Sequence, residues 1–251
     1  MAPHMIIATA QQFDEAVKAA TTMHELDDLL HDITREMGFQ HFALSHHVDV
    51  PRAPQPALRI HNYPGDWEAF FDAERLGPSD PVHRASHLTN AGFHWSMLPQ
   101  LIVLTRRDEE ILAKSRKAGL TDGFTVPAHI PGESAGSCSF ASARGKTPRR
   151  EWMPLAQFIG ATAFEGARRL VGVRRIDQDR PRLSDRQREC IYWAARGKSD
   201  WEISKILGIS HDTAIQYMKE ARGRYGVGNR TQLAIHALFD GALTFTDALR
   251  R

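Results

Sequence analysis

Hydrophobic residues recur at two spacings along this 251-residue chain, and the spacing separates helical from extended segments. Thr22 and Glu25 stand three residues apart, in the capping-box pattern that opens a helix. Gly38 ends the helix that follows, because glycine is favoured just past a helix C-terminus. The apolar residues between these two signals recur every three or four positions: Leu26, Leu29, Leu30, Ile33 and Met37.

Extended and helical segments then alternate as far as residue 170. Short apolar-rich stretches predict strands at 39–48 and 58–63, and the turn sequence at 131–134 predicts a hairpin between strands at 123–130 and 137–142. Helices are predicted from Pro64, over 105–117 and over 152–170. Helices at both ends with antiparallel strands between them predict an α/β/α sandwich. The predicted inward residues of the first and last of these helices are Trp67, Phe70, Phe71, Leu155, Phe158, Ile159 and Leu170.

The last seventy residues show helical spacing only. Capping signals at Ser184, Ser199, Ser210 and Asn229 predict four short helices, so the chain as a whole is predicted to be α+β. A charged stretch ending in Pro181 indicates a linker, which gives a first domain at 5–172, a linker at 173–182 and a second domain at 183–245. The predicted inward residues of the second domain are Ile191, Ala194, Ala195, Ile203, Ile206, Leu207, Ala214, Met218, Ala221, Leu233, Ala234, Ala237 and Leu238.

Composition narrows the classes of protein that fit. At 42% hydrophobic and 25% charged residues the chain is ordinary for a globular protein, and no apolar run approaches the roughly 20 residues of a membrane span. No secretory signal is visible, and two cysteines give neither a disulfide framework nor a zinc motif, so we expect a cytoplasmic protein. No hydrolase, zinc-protease or phosphate-loop motif is present. We therefore expect no enzyme, no metal site and no cofactor, and we expect the thirteen histidines, His46 and His47 included, to lie scattered on the surface.

The second domain is mildly basic, since residues 182–251 carry 12 Lys and Arg against 8 Asp and Glu. Two of its predicted helices flank the turn Gly208-Ile209-Ser210, which is the spacing of a helix-turn-helix unit. The inward stripe leaves Ile215 and Gln216 outward for base edges, and Lys219, Arg222 and Arg230 for phosphates. A plain four-helix bundle with a solvated polar face is the alternative.

The same residues carry a family resemblance. The segment 183–238, from LSDRQREC to LAIHAL, resembles the DNA-binding domain of LuxR-type transcription factors. The resemblance adds Lys198, Ser199 and Thr213 to the expected DNA-contacting set. Gln187, Tyr217 and Tyr225 depart from the usual Glu, His and Leu. We expect the fold to be retained, and Tyr217 to alter the base preference.

The first domain resembles the acyl-homoserine-lactone-binding domain of the same family, through the stretch from Asn62 to Ser96 and the sequence AGLTDGFTVP at 118–127. The resemblance implies that the indole of Trp67 donates to the lactone carbonyl and that Asp80 accepts the amide N–H. It also implies that Tyr63 and Ser139 donate to the amide carbonyl. By the same resemblance Trp95 covers the lactone ring, while Phe71 and Val82 line the acyl tunnel.

One departure bears on the ligand. Phe71 stands where the family commonly has tyrosine, and we expect this to favour unsubstituted or aromatic acyl groups over 3-oxo chains. The effector is expected to be an N-acyl-homoserine lactone, with a regulator that senses another small molecule as the alternative. The expected partners are double-stranded DNA, a second copy of the chain and RNA polymerase, with no membrane. A phosphorylation receiver and a thiol sensor at Cys138 are weaker alternatives.

Overall fold

The computed structural model describes residues 3–49, 57–130, 133–143, 150–172 and 181–249. Of these, residues 3–49, 57–130, 134–143 and 150–172 belong to one compact unit, and residues 181–249 belong to a second. The predicted linker at 173–182 lies outside the described residues except for its last two positions. In the part of the chain that is described, no helix is both long enough and apolar enough to cross a membrane.

The first unit contains five strands and seven α-helices among its described residues. The strands are β1 (His41–His46), β2 (Arg59–His61), β3 (Phe93–His94), β4 (Asp122–Ala128) and β5 (Gly136–Ser142). The helices are α1 (Pro3–Ala19), α2 (Met23–Glu36), α3 (Gly65–Ala73), α4 (Pro81–Ser86), α5 (Leu98–Leu101), α6 (Arg106–Lys117) and α7 (Met153–Leu170). The strands form one antiparallel sheet in the order β2-β1-β5-β4-β3.

Helices cover both faces of this sheet, which confirms the α/β/α sandwich. Helix α7 packs on β4 and β5, α2 packs on β1, and α1 packs on α7. This side holds the larger core, with Phe42, Phe140 and Leu155 fully buried. Helix α7 comes close to the sheet at Gly160, where a Cβ would lie 2.8 Å from Val126. On the opposite face, α3, α4 and α6 enclose two smaller clusters that include Trp67, Ile111 and Val82.

The second unit is entirely helical over the residues described. Its helices are α8 (Asp185–Ala195), α9 (Asp200–Leu207), α10 (His211–Tyr225), α11 (Arg230–Phe239) and α12 (Phe245–Leu249). The predicted caps are confirmed, because the side chains of Ser184, Ser199, Ser210 and Asn229 each accept a backbone N–H three residues on. The short α12 goes beyond the predicted four helices, and Leu243, just before it, joins the core.

Two inward predictions are wrong. Phe158 is 42% exposed, because the buried stripe of α7 runs through Leu155 and Ile159 and leaves Phe158 at its edge. Ile206 is 43% exposed, because α9 turns Ile203 and Ser204 inward instead. The buried hydroxyl of Ser204 is satisfied by donating to the Trp201 carbonyl, 2.7 Å away.

Candidate functional site

The sheet supplies one wall of a cavity through the alternation of side chains along its strands. In β1, Phe42 and Leu44 enter the large core, while Ala43 and Ser45 face the opposite side. The same alternation in β5 sends Phe140 to the core, and the neighbouring Ser139 to the cavity. Small side chains on this face leave room between the sheet and helices α3 and α4.

Helices α3 and α4 supply the opposite wall. Trp67, in α3, is 6% exposed, and Phe71 follows one turn later. Asp80 caps α4, its Oδ1 accepting the backbone N–H groups of Val82 at 2.8 Å and His83 at 3.2 Å. This bond fixes the carboxyl group, and Oδ2 accepts no hydrogen bond from any described residue.

All the side chains that the sequence assigned to the ligand line one cavity of about 470 Å³, a volume that includes its open mouth. Separate parts of the chain bring them there, from residue 63 to residue 139. The predicted set is Tyr63, Trp67, Phe71, Asp80, Val82, Trp95 and Ser139. Their convergence makes this cavity the candidate ligand site, and their contacts with a ligand stay a prediction.

A chain of hydroxyl groups crosses the sheet side of the cavity. The indole N–H of Trp95 donates to Thr125 Oγ1 at 2.9 Å, and Thr125 Oγ1 lies 2.8 Å from Ser139 Oγ. Ser139 in turn is hydrogen-bonded to Tyr63. The hydroxyl groups of Thr125, Ser139 and Tyr63 carry three protons, and the two hydrogen bonds between these groups use two of them. One proton is therefore left for an outside acceptor, whichever direction these two hydrogen bonds take.

Tyr63 remains a neutral donor in this chain. Burial raises the pKa of its phenol, the nearby Asp80 raises it further, and the hydrogen bond from Ser139 partly opposes both. Thr125 is the residue that sequence reasoning missed. Thr125 lies within the segment 118–127 that carries the family resemblance, but the sequence assigned it no role, because only the register of β4 against β5 places it opposite Ser139.

A second lobe, of about 670 Å³ including open space, adjoins the first and shares Ala43, Ser45, Tyr63, Trp67, Phe71 and His83 with it. It runs on between β1, β2 and α3. Charged side chains line its far part: Asp49, Arg59, Glu68, Asp72 and Arg75. The two lobes lie against the same face of the sheet and share these six residues as lining.

Histidines beside this space contradict the expected scatter on the surface. His47 is 7% exposed, its Nδ1 lies 2.9 Å from Nε2 of His87, and its Nε2 lies 2.9 Å from Ser137 Oγ. Its ring stacks on His83, with 3.8 Å between centroids. Burial, and then His83, His87, His129 and His46, hold the pKa of His47 well below its ordinary value.

Two other expectations concern metals and thiols. Within the described ranges, His24, Asp27 and Asp28 are the group of three whose ligand atoms approach closely enough for a metal ion, and two of the three are exposed. Exposed acidic clusters of this kind are common without an ion. Cys138 is fully buried and burial raises the pKa of its thiol, which suppresses the thiolate that a redox sensor needs.

The second unit presents a helix-turn-helix. Helix α9 ends at Gly208, whose φ of 66° is left-handed, and Ser210 then caps α10. Ala214, Met218 and Ala221 enter the core, as predicted. Ile215 is 40% exposed, and Gln216 and Lys219 are also exposed on the opposite side of α10.

Several of the other residues predicted to contact DNA are engaged within the unit. Arg230 donates to the Lys198 carbonyl and lies 3.6 Å from Asp200, which fixes α11 against the start of α9. Lys198 Nζ lies 3.3 Å from the Glu202 carboxylate, and Arg222 donates to the Gly228 carbonyl at 3.2 Å. The remaining two serve at caps, Ser199 in the α9 capping box and Thr213 beside Ser210.

The departures from the family pattern have structural outcomes. Gln187 completes the capping box of α8 and also donates to Glu220 at 2.9 Å, so the usual glutamate is replaced without loss of the cap. Tyr225 donates to Asp240 at 2.7 Å and links the ends of α10 and α11. Tyr217 is half-buried against the core of the unit.

Family models match both units. The model of the autoinducer binding domain matches residues 22–170, and the model described as bacterial regulatory proteins, luxR family, matches residues 181–237. The transcriptional activator protein LuxR of Aliivibrio fischeri is 24% identical over 232 residues, which cover 90% of this chain and 91% of LuxR. RpaR of Rhodopseudomonas palustris, a quorum sensing-dependent regulator, is 31% identical over 193 residues, 75% of this chain and 76% of RpaR.

Solved structures agree on the fold. Escherichia coli SdiA superposes with a TM-score of 0.68 at 21% identity, covering 95% of this chain and 99% of SdiA. CepR2 of Burkholderia cenocepacia, described as N-acylhomoserine lactone dependent, superposes with a TM-score of 0.52 at 14% identity, covering 68% of this chain and 98% of CepR2.

Proposed function

This chain belongs to the LuxR family of bacterial regulators with an autoinducer-binding domain, and we propose that its effector is an N-acyl-homoserine lactone held between the sheet and helices α3 and α4. It is a ligand-responsive transcription factor. The assignment of the effector to the acyl-homoserine lactones is the proposed part, and it rests on the polar groups that line the cavity.

Each polar group of such a ligand has a counterpart in the cavity. The amide N–H requires an acceptor, and Asp80 Oδ2 offers one that is charged and already oriented by the cap on Oδ1. The amide carbonyl requires a donor, and the hydroxyl chain through Ser139 and Tyr63 has one proton to give. The indole N–H of Trp67 donates no hydrogen bond to a described residue. It would donate one to the lactone carbonyl.

Binding and folding are coupled in this proposal. A ligand that binds only the folded domain stabilises it by mass action, and each buried CH₂ contributes about 0.8 kcal/mol. The liganded protein then acts as a homodimer whose α10 helices read two half-sites about one helical turn apart. The regulator acts in the cytoplasm, and RNA polymerase is the expected further partner. Trp201 and Ile206, exposed on α9, offer apolar surface for such a contact.

The convergence of the predicted residues on one cavity carries this proposal. The test is mass spectrometry of small molecules extracted from the full chain, purified from cells grown with a mixture of acyl-homoserine lactones. We expect one intact lactone in wild type and a much smaller amount in Asp80→Asn, which keeps the Oδ1 cap. A different bound molecule supports the non-lactone alternative, and an empty protein whose melting temperature no lactone shifts refutes the lactone proposal.

A further inference from the structure

The register of the sheet places the second lobe of the cavity at a fixed distance from the amide anchor. Ser139 pairs with Ala43 across β5 and β1, and Ala43 pairs with His61 across β1 and β2. Neighbouring strands lie about 4.8 Å apart, so the His61 backbone lies roughly 10 Å from that of Ser139. A bound molecule anchored at Ser139 reaches His61 only through a tail of that length.

The end of this path is polar. Arg59 lies two residues from His61 on the same face of β2, opposite Ser45. Its guanidinium pairs with Asp72 at 2.5 Å and with Glu68 at 3.5 Å, and the Arg59 side chain is 19% exposed. The guanidinium also lies 5.7 Å from the centroid of the Phe71 ring. A half-buried ion cluster therefore lines the part of the second lobe that a tail of this length would reach from Ser139.

His61 belongs to the same cluster as a neutral ring. Burial, and then the charge of Arg59, lower its pKa, while Glu68 opposes the shift. Its Nε2 lies 3.3 Å from the Glu68 carboxylate and so carries the proton. The cluster thus has one cation and two anions, and Asp49 and Arg75 add one charge of each sign to the lobe.

An alkyl tail that reached this cluster would displace water from the ions and return no hydrogen bond. A carboxylate tail would meet Glu68 and Asp72 at close range. A hydroxyl meets both requirements, because it can accept from Arg59 and donate to a carboxylate.

We propose that the natural ligand carries a hydroxyl group at the far end of its acyl tail, and that Arg59 is the residue that selects it. An extended chain advances about 3.3–3.6 Å per three bonds, so roughly 10 Å corresponds to about eight to nine bonds from the amide carbonyl. This inference rests on the proposed function, since it extends the same bound molecule.

The experiment compares two probes of equal chain length, N-octanoyl- and N-(8-hydroxyoctanoyl)-homoserine lactone, by isothermal titration of the full chain. We expect the hydroxylated probe to bind wild type about tenfold more tightly or better. Arg59→Met should remove this preference, and the control Arg106→Met, at a side chain 93% exposed on α6, should keep it.

The outcomes separate the two proposals. Equal or tighter binding of the plain octanoyl probe to wild type overturns the selection by a hydroxyl but leaves the lactone site in place. Failure of both probes to bind overturns both. The comparison of the two probes on wild type alone decides whether the hydroxyl is preferred, so this result does not depend on the folding of Arg59→Met. If Arg59→Met does not fold, Arg59→Gln provides a second variant.

Discussion

Gly123→Ala should disturb the cavity from behind, by moving the indole of Trp95. An ideal Cβ at Gly123 would lie 2.6 Å from Trp95 Cε2 and 2.8 Å from the Phe140 carbonyl oxygen, whereas ordinary contact begins near 3.4 Å. The carbonyl belongs to the neighbouring strand and cannot yield easily, so that contact stays strained. The ring in addition has to move by about 0.8 Å to reach 3.4 Å. Such a shift would stretch the 2.9 Å bond from Trp95 to Thr125 beyond the length of a hydrogen bond.

The expected cost combines two effects. Overpacking costs about 1–3 kcal/mol, and the lost hydrogen bond about 0.5–1.5 kcal/mol, which together destabilise the domain by roughly 1.5–4.5 kcal/mol. For a domain of this size the melting temperature should fall by roughly 3–18 °C. The loss of Trp95 from its position should also weaken binding of N-octanoyl-homoserine lactone, because the ring no longer covers the site.

The assay is thermal unfolding of the ligand-free protein together with isothermal titration of that lactone. Gly65→Ala is the matched control, because a Cβ there meets nothing within 4 Å and the melting temperature should change little. If Gly123→Ala melts within 2 °C of wild type and binds with unchanged affinity, the argument from steric contact is refuted.

Three further predictions concern other parts of the molecule. Asp80→Asn should retain the α4 cap but weaken lactone binding about tenfold to a hundredfold, because a charged acceptor is lost; titration with unchanged affinity would contradict the assigned role. His47 has a folded pKa below its ordinary 6.5, so the unfolded chain binds more protons, and stability present above about pH 6.5 is lost as the pH falls below it. Melting temperatures from pH 7.5 to 5.5 should therefore fall less in His47→Gln than in wild type, and parallel curves would argue against a buried neutral His47. In the second unit, Gln216→Ala should relax sequence preference at one base pair by about 1–3 kcal/mol. Lys219→Ala should instead weaken binding to all duplexes and reduce the slope of log K against log salt concentration by about one. Fluorescence anisotropy on a selected operator and on a scrambled duplex distinguishes the two effects.

Helix boundaries were predictable from sequence because their signals are local. The capping box at Thr22 and the caps at Ser199 and Ser210 lie within three residues of the groups they satisfy. Helix α1 was not predicted from the sequence. Phe13 and Val17 are buried whereas Met5 and Ile7 are exposed, so its apolar pattern is weak near the start.

The candidate site was predictable in its members but not in its connections. The double use of Asp80, as cap and as free acceptor, follows from one Asp-Pro sequence that fits either role. The link from Trp95 through Thr125 to Ser139 depends on strand register, which no local pattern fixes. The charged lining of the second lobe likewise depends on tertiary contact, because Arg59 in β2 pairs with Asp72 in α3. The apolar pattern of the sequence does not predict this pair.

The alternation along β1 and β5 separates two demands on the same strands. Phe42 and Phe140 pack in the larger core on one side of the sheet, whereas Ala43 and Ser139 line the cavity on the other side. Substitutions of Ala43 or Ser139 therefore act on the cavity without removing a side chain from that core. A lineage of such receptors can thus acquire new signals by exchanging small residues at every second position, without rebuilding the protein that carries them.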